Sequence, residues 1–262
     1  MLVANKVAEL TGLIASLVTI GYLMWRGSKW TEKSLPKVRP IAGLDAIEDA
    51  VGRATEMGRP ILVVPGTGDV TDSFAMQTIA GLAILRYTSS LCARMDTRML
   101  VSIQKPNTFA IASEIVREEY SNAGRTEMFQ EDTVQWLSQD QFAHATATVG
   151  LMHRENVASA VLTGFFQAES LMLGEAAGSL GALTIGGCGR LSQIPFFLIC
   201  CDYCLIGEEL MVAGAYLNKT PMLLGSIRAQ DIMKTTLLGL TVAGVVMMTV
   251  SNNNSLIKLL KR

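Results

Sequence analysis

A chain of 262 residues, 50% hydrophobic and 17% charged, has room for one domain, or for one domain with membrane segments. Its net charge of −1 supplies no basic field, so nucleic acid is not an expected partner. The five cysteines, Cys92, Cys188, Cys200, Cys201 and Cys204, are odd in number and lack a secreted-domain spacing, which points to reduced thiols and away from a disulfide framework.

In chain order, residues 7–25 form an apolar run broken by Glu9, with Tyr22, Trp25 and Trp30 clustered near its end. About 20 apolar residues span a bilayer, so this run is expected to be an uncleaved transmembrane helix. Arg26, Lys29, Lys33, Lys37 and Arg39 follow it, against Lys6 before it. The positive-inside rule then places the main domain in the cytoplasm of a protein integral to the cell membrane. Residues 26–43 read as a proline-containing linker. Residues 44–227 read as the cytoplasmic domain, residues 232–250 as a second transmembrane helix, and residues 251–262 as a short tail on the membrane surface.

The domain begins with a helix over Leu44–Met57, whose Ala46, Ile47, Ala50, Val51 and Ala54 share one face. Ile61–Val64 reads as a buried strand. A helix over Ser73–Met95, a strand in RMLVSI and a helix after Asn107 follow, then a long polar helix over Thr133–His153. SAVLTGFF, LTIGG and FFLICC read as strands, with helices in AESLMLGEAAGSLGA and IGEELMVAGAYL. The strands are apolar throughout, as in a parallel sheet covered on both sides. The expected fold is therefore α/β, a mostly parallel sheet with helices on both faces (Rossmann-like), flanked by the two transmembrane helices. The alternative counts one or two of the later apolar segments as further membrane spans. Glu169, Glu175, Asp202, Glu208 and Glu209 oppose it, because carboxylates at membrane depth are costly.

Charge is uneven along the chain. Residues 26–156 carry 30 charged side chains in 131, and residues 157–227 carry 7 in 71. So few charges do not cover a solvated surface, so subunits of a homo-oligomer or a lipid bilayer are expected to cover the second half.

Ligands in open α/β sheets bind beyond the carboxyl ends of the strands. The first such end, PGTGDVTDS, holds Gly66, Gly68 and Asp69. A dinucleotide fingerprint would need a third glycine where Thr71 stands, and a P-loop would need a lysine that is absent. A tight turn followed by a cap at Asp72 or Ser73 accounts for the stretch, with a ligand contact by Asp69 as the rival. The second end holds Gly186, Gly187 and Arg190, whose backbone N–H groups and charge would suit an anion. Close packing explains these glycines equally well. Cys201 and Cys204 form a C-x-x-C that reads as core cysteines. His144 and His153 lie on opposite sides of one helix, so they cannot share a metal. No metal site, cofactor or catalytic residue is expected.

The stretch DAIEDAVGRATEMGRP, followed by VPG at a strand end, resembles an uncharacterised prokaryotic, notably archaeal, family known only as a domain of unknown function. The resemblance implies a membrane-associated protein and carries over no catalytic or binding residues.

Two functions follow as expectations. The first is a structural or scaffold subunit of a homo-oligomeric membrane assembly, without enzymatic activity. The second is a membrane-tethered regulatory domain that binds a nucleotide-like or other small-molecule ligand at the strand ends.

Overall fold

Six strands form one parallel sheet: β1 (Ile61–Val64), β2 (Met99–Ile103), β3 (Val134–Trp136), β4 (Ser159–Gly164), β5 (Leu183–Cys188) and β6 (Tyr203–Ile206). Their spatial order is β3-β2-β1-β4-β5-β6. This computed structural model describes residues 7–27, 40–218 and 221–251. In chain order the helices are α1 (Val7–Gly27), α2 (Ala42–Met57), α3 (Ala75–Met95), α4 (Pro106–Asn122), α5 (Gln141–Glu155), α6 (Glu169–Ser179), α7 (Ile194–Cys200), α8 (Glu208–Asn218) and α9 (Pro221–Ser251). The chain divides into two compact units. Residues Arg39–Asn218 carry the sheet, and α1 and α9 belong to the other.

The central strands β1, β2, β4 and β5 are buried on both faces, whereas the edge strands β3 and β6 are partly exposed. Ile61, Val63, Val101, Ile103, Val161 and Ile185 enter one core with side chains of α2, α3, α4 and α8. Leu62, Val64, Leu100, Ala160 and Leu162 alternate into a second core with α5, α6 and α7. Each fully buried Leu, Val or Ile contributes roughly 1.5–3 kcal/mol relative to exposure. Helix α2 presents Leu44, Ile47, Ala50, Val51 and Ala54 to the first core and stops at Gly58, where φ is +60°. A left-handed residue there ends the helix without a side-chain penalty.

Two local expectations give way. The residues expected to extend one helix across Thr133–His153 instead form β3, a loop and α5, and Asp140 caps α5 by accepting from the Ala143 N–H at 2.9 Å. FFLICC is helical as far as Cys200 within α7, which has Pro195 in its first turn and buries Ile194 and Phe197 three residues apart. A short apolar run does not distinguish a strand from a helix by itself, and the i, i+3 burial here selects the helix. The last strand follows at Tyr203–Ile206.

The expected transmembrane helices are corrected as well. Among the described residues, no helix is long and apolar enough to cross a membrane. Helix α1 carries Glu9 and Arg26 within its 21 residues. Helix α9 carries Arg228, Asp231 and Lys234 before its apolar run. That run, Thr235–Val250, rises about 24 Å at 1.5 Å per residue, against about 30 Å of bilayer hydrocarbon. The parallel α/β sheet stands, and the two flanking membrane spans expected do not, among the described residues. The placement in the cell membrane with a cytoplasmic domain rested on those spans and falls with them. Residues 252–262 of the expected tail and 28–39 of the expected linker lie outside the described residues.

Candidate functional site

The strand order places β1 beside β4 at the centre of the sheet. From β1 the chain winds outward through β2 to β3, and from β4 in the other direction through β5 to β6. Such a reversal opens a crevice at the carboxyl ends of the two central strands, the usual ligand position in this architecture.

Here the base of that crevice is drawn shut. The Thr67 N–H donates to the Phe165 carbonyl at 2.7 Å, joining the loops after β1 and β4. Gly66, at φ +88°, permits the approach, since a Cβ there would lie 2.6 Å from the Phe165 nitrogen. Gly81 on α3 plays a parallel part: its Cβ would lie 2.5 Å from the Thr163 carbonyl oxygen and 2.7 Å from that of Pro65. Close helix–sheet contact, which a dinucleotide fingerprint obtains from its third glycine, is achieved here one and a half turns into the helix.

Beside this closure lies a polar cleft of about 260 Å³. Thr67 and Asp72 line it from the β1 loop, Gln104 and Lys105 from the end of β2, Gln139, Asp140 and Gln141 from the start of α5, and Phe165 and Gln167 from the β4 loop. Gln104 is buried, and its amide nitrogen donates to the Gln139 carbonyl at 2.9 Å. None of the described residues hydrogen-bonds its amide oxygen.

Next to the cleft sits Glu169, fully buried at the start of α6. Its Oε1 accepts from the Thr67 hydroxyl at 2.6 Å and from the Gln167 N–H at 2.9 Å, and its Oε2 accepts from the Gln141 amide. A buried carboxylate is tolerable only when its lone pairs are met. This one is met from three segments, so it fixes the β1 loop, the β4 loop and α5 relative to one another.

A second buried polar group stands behind it. His144 Nε2 and Ser102 Oγ are 2.9 Å apart, and Ser102 Oγ lies 2.7 Å from Thr148 Oγ1. The Thr148 hydroxyl donates to the His144 carbonyl at 2.8 Å. The contacts are satisfied in sequence when His144 Nε2–H donates to Ser102 and Ser102 donates to Thr148. His144 is then no base for Ser102, and its Nδ1 keeps a buried lone pair without a protein partner. Burial pulls the imidazole pKa down to about 4 against the opposing pull of Glu169, so the ring is neutral near pH 7.

The glycines and charges singled out in the sequence are brought to this end of the sheet, but of these only Asp72 lines the cleft. Gly66 and Gly68 shape the turn. Asp69 binds the loop to α4, accepting from the Asn107 side chain at 2.9 Å and from the Thr71 N–H at 3.3 Å. Neither Asp72 nor Ser73 caps a helix: α3 starts at Ala75 with no side-chain cap, and the Asp72 carboxylate accepts from the Asp69 N–H. Gly186 and Gly187 are within β5, where side chains there would meet Phe197 and Leu205. The Gly189 N–H donates to Gln77 and the Arg190 N–H to the Cys188 sulfur, so no anion nest forms. The Arg190 guanidinium lies 5.4 and 5.5 Å from the ring centres of Phe74 and Phe165, which are themselves stacked at 4.4 Å.

Cys201 and Cys204 stay protonated, because burial raises their thiols to about 12 and about 11. Among the described residues, no group of three or more His, Cys, Asp or Glu side chains is placed to hold a metal ion. The sequence reading missed Gln104, Lys105, Gln139, Asp140, Gln141 and Gln167 as a set. The available signal was positional: each stands just past a strand or at a helix start.

The sheet order defines a doubly wound α/β domain with a polar cleft beside its switch point. The chain belongs to the family described as Domain of unknown function (DUF6754), whose model matches residues 3–259. Comparison with curated proteins and with solved structures gives no match.

Proposed function

We propose that this protein is a binding domain for a small polar molecule, held in the cleft at the carboxyl ends of β1, β2, β3 and β4. The observation that carries the reading is the coincidence of three features: the switch point, a polar cleft lined from four segments, and a buried carboxylate whose hydrogen bonds hold three of those segments. A volume of about 260 Å³ sits just below the roughly 300–1,000 Å³ of drug-sized sites, so it suits a small metabolite. Its walls offer amides and hydroxyls, and no group in it is arranged as an activated nucleophile with its base. Binding, not turnover, is what this lining supports.

A thermal-shift panel of amino acids, nucleosides, sugars and their phosphates on the full chain tests the reading. At least one compound is expected to raise the Tm, and Gln167→Ala together with Lys105→Met is expected to remove the shift. If no compound stabilises the wild type, the reading fails.

A specific observation also favours assembly with further copies of the chain. Leu191, Phe196, Leu198 and Ile199 project from α7 and the loop before it, and Leu191 and Ile199 are 82% and 79% exposed. This is the charge-poor part of the sequence, and contiguous apolar surface of this kind marks interaction sites. A second copy is its occupant in this reading. Leu198→Glu with Ile199→Glu is expected to lower the mass of the particle by sedimentation. A wild type that is monomeric at every concentration would refute it.

A further inference from the structure

We infer that the ligand of this cleft is a small α-amino acid with a polar side chain, bound through both of its charges. The inference rests on the binding reading above and specifies it by the charges and hydrogen-bonding groups of the cleft wall.

The wall carries charges of both signs. Lys105 supplies the one cation, and Asp72 and Asp140 supply two carboxylates. The Lys105 ammonium makes no ion pair with any described residue. It is also the N-cap of α4, which has no side-chain cap and begins with Pro106. The N–H groups of Asn107 and Thr108 in that first turn therefore add to the positive end of the helix dipole. A ligand carboxylate is matched to this corner by the Lys105 charge; Asn107 and Thr108 stand behind it and do not line the cleft.

A helix start alone would not define a site. The independent observation is Gln104, the residue before Lys105. Gln104 is 4% exposed and lines the cleft; its amide nitrogen donates to the Gln139 carbonyl, and none of the described residues hydrogen-bonds its amide oxygen. The half-buried Gln141 side chain lines the cleft too, and its nitrogen donates to Glu169. A fixed acceptor and two carboxylates call for a ligand rich in N–H donors. An ammonium group supplies them.

The same inventory disfavours the other ligand classes. A phosphate would face Asp72 and Asp140, with Glu169 buried alongside. An amine without a carboxylate would leave Lys105 facing a second cation. A sugar would leave the opposed charges unused. The amides of Gln139 and Gln167 remain for a polar side chain, and the small volume limits its length.

The test is calorimetric titration of the full chain with each of the twenty proteinogenic α-amino acids. Every amino acid that binds is then compared with its N-acetyl derivative and its methyl ester. At least one amino acid is expected to bind, and each derivative to bind about tenfold or more weakly, the loss of one charge-assisted contact. Lys105→Glu is expected to weaken binding to the same degree, and Lys105→Arg to retain it. Binding of a nucleoside or a sugar with no amino acid bound would overturn the inference while leaving the cleft as a binding site. Equal binding of the amino acid and its methyl ester would also overturn it. Absence of binding by all three classes would remove both.

Discussion

Thr67 donates its hydroxyl at 2.6 Å to Glu169, a residue 102 positions away in the sequence, and both are buried. The contact crosses the switch point of the sheet, from the loop after β1 to the first turn of α6. Thr67→Val removes the donor while keeping the shape, and leaves a buried carboxylate short of one partner. The expected loss is about 1–3 kcal/mol of unfolding free energy by chemical denaturation. Thr67→Ser is expected to keep most of it. Equal stability of Thr67→Val and wild type would show that the contact contributes nothing.

His144 gives the protein an acid sensitivity. Its folded pKa of about 4 lies below the ordinary value of 6.5, because burial penalises the imidazolium. Below pH 6.5 the unfolded chain takes up a proton that the folded chain refuses, so stability is full above that pH and is lost as the pH falls toward 4. The loss approaches about 3 kcal/mol, taking roughly 1.4 kcal/mol per pH unit. Denaturation curves at pH 7 and pH 4.5 measure it. His144→Gln is expected to flatten the His144 part of this dependence, and an unchanged pH profile in the variant would contradict the assignment.

Gly81 and Gly52 lie in helices and are expected to respond in opposite directions to alanine. At Gly81 the new Cβ meets two carbonyl oxygens of the loop and strand below α3, so Gly81→Ala must push the helix off the sheet. Overpacking of this kind costs about 1–3 kcal/mol. At Gly52 a Cβ meets nothing within 4 Å, and alanine is the better helix former by roughly 0.5–1 kcal/mol. The two unfolding midpoints, compared with wild type, decide the matter. A neutral Gly81→Ala would show that α3 is not held as close to Pro65 and Thr163 as described.

The parallel α/β sheet was legible because its strands are apolar on both faces, and that leaves a plain mark in runs such as Ile61–Val64. Helix α2 was legible from its periodicity, and the family resemblance fell on the same stretch. Less legible were β3 and α7. Val134–Trp136 is a three-residue edge strand set among polar residues, and the α7 segment is an apolar run too short to show a period. The terminal helices misled because apolar runs near spanning length were accepted despite Glu9 and Arg26 in one helix and Arg228, Asp231 and Lys234 in the other. The cleft was hidden for a different reason. Gln104, Gln141 and Gln167 have no motif spacing, and only the winding of the chain around the switch point brings them together. The glycines that drew attention, Gly66 and Gly186, serve the packing that makes this winding possible.

Hydrogen exchange of the full chain, with and without a compound that raises its Tm, tests the central claim most directly. Four segments close the cleft: residues 66–72, 104–108, 139–142 and 165–169. Slower exchange concentrated in these four is predicted. A second cleft, lined by Asp96, Arg98, Tyr120, Glu127 and Asp132, serves as the internal control. Protection there, or along α7, with the four strand-end segments unchanged would contradict the account.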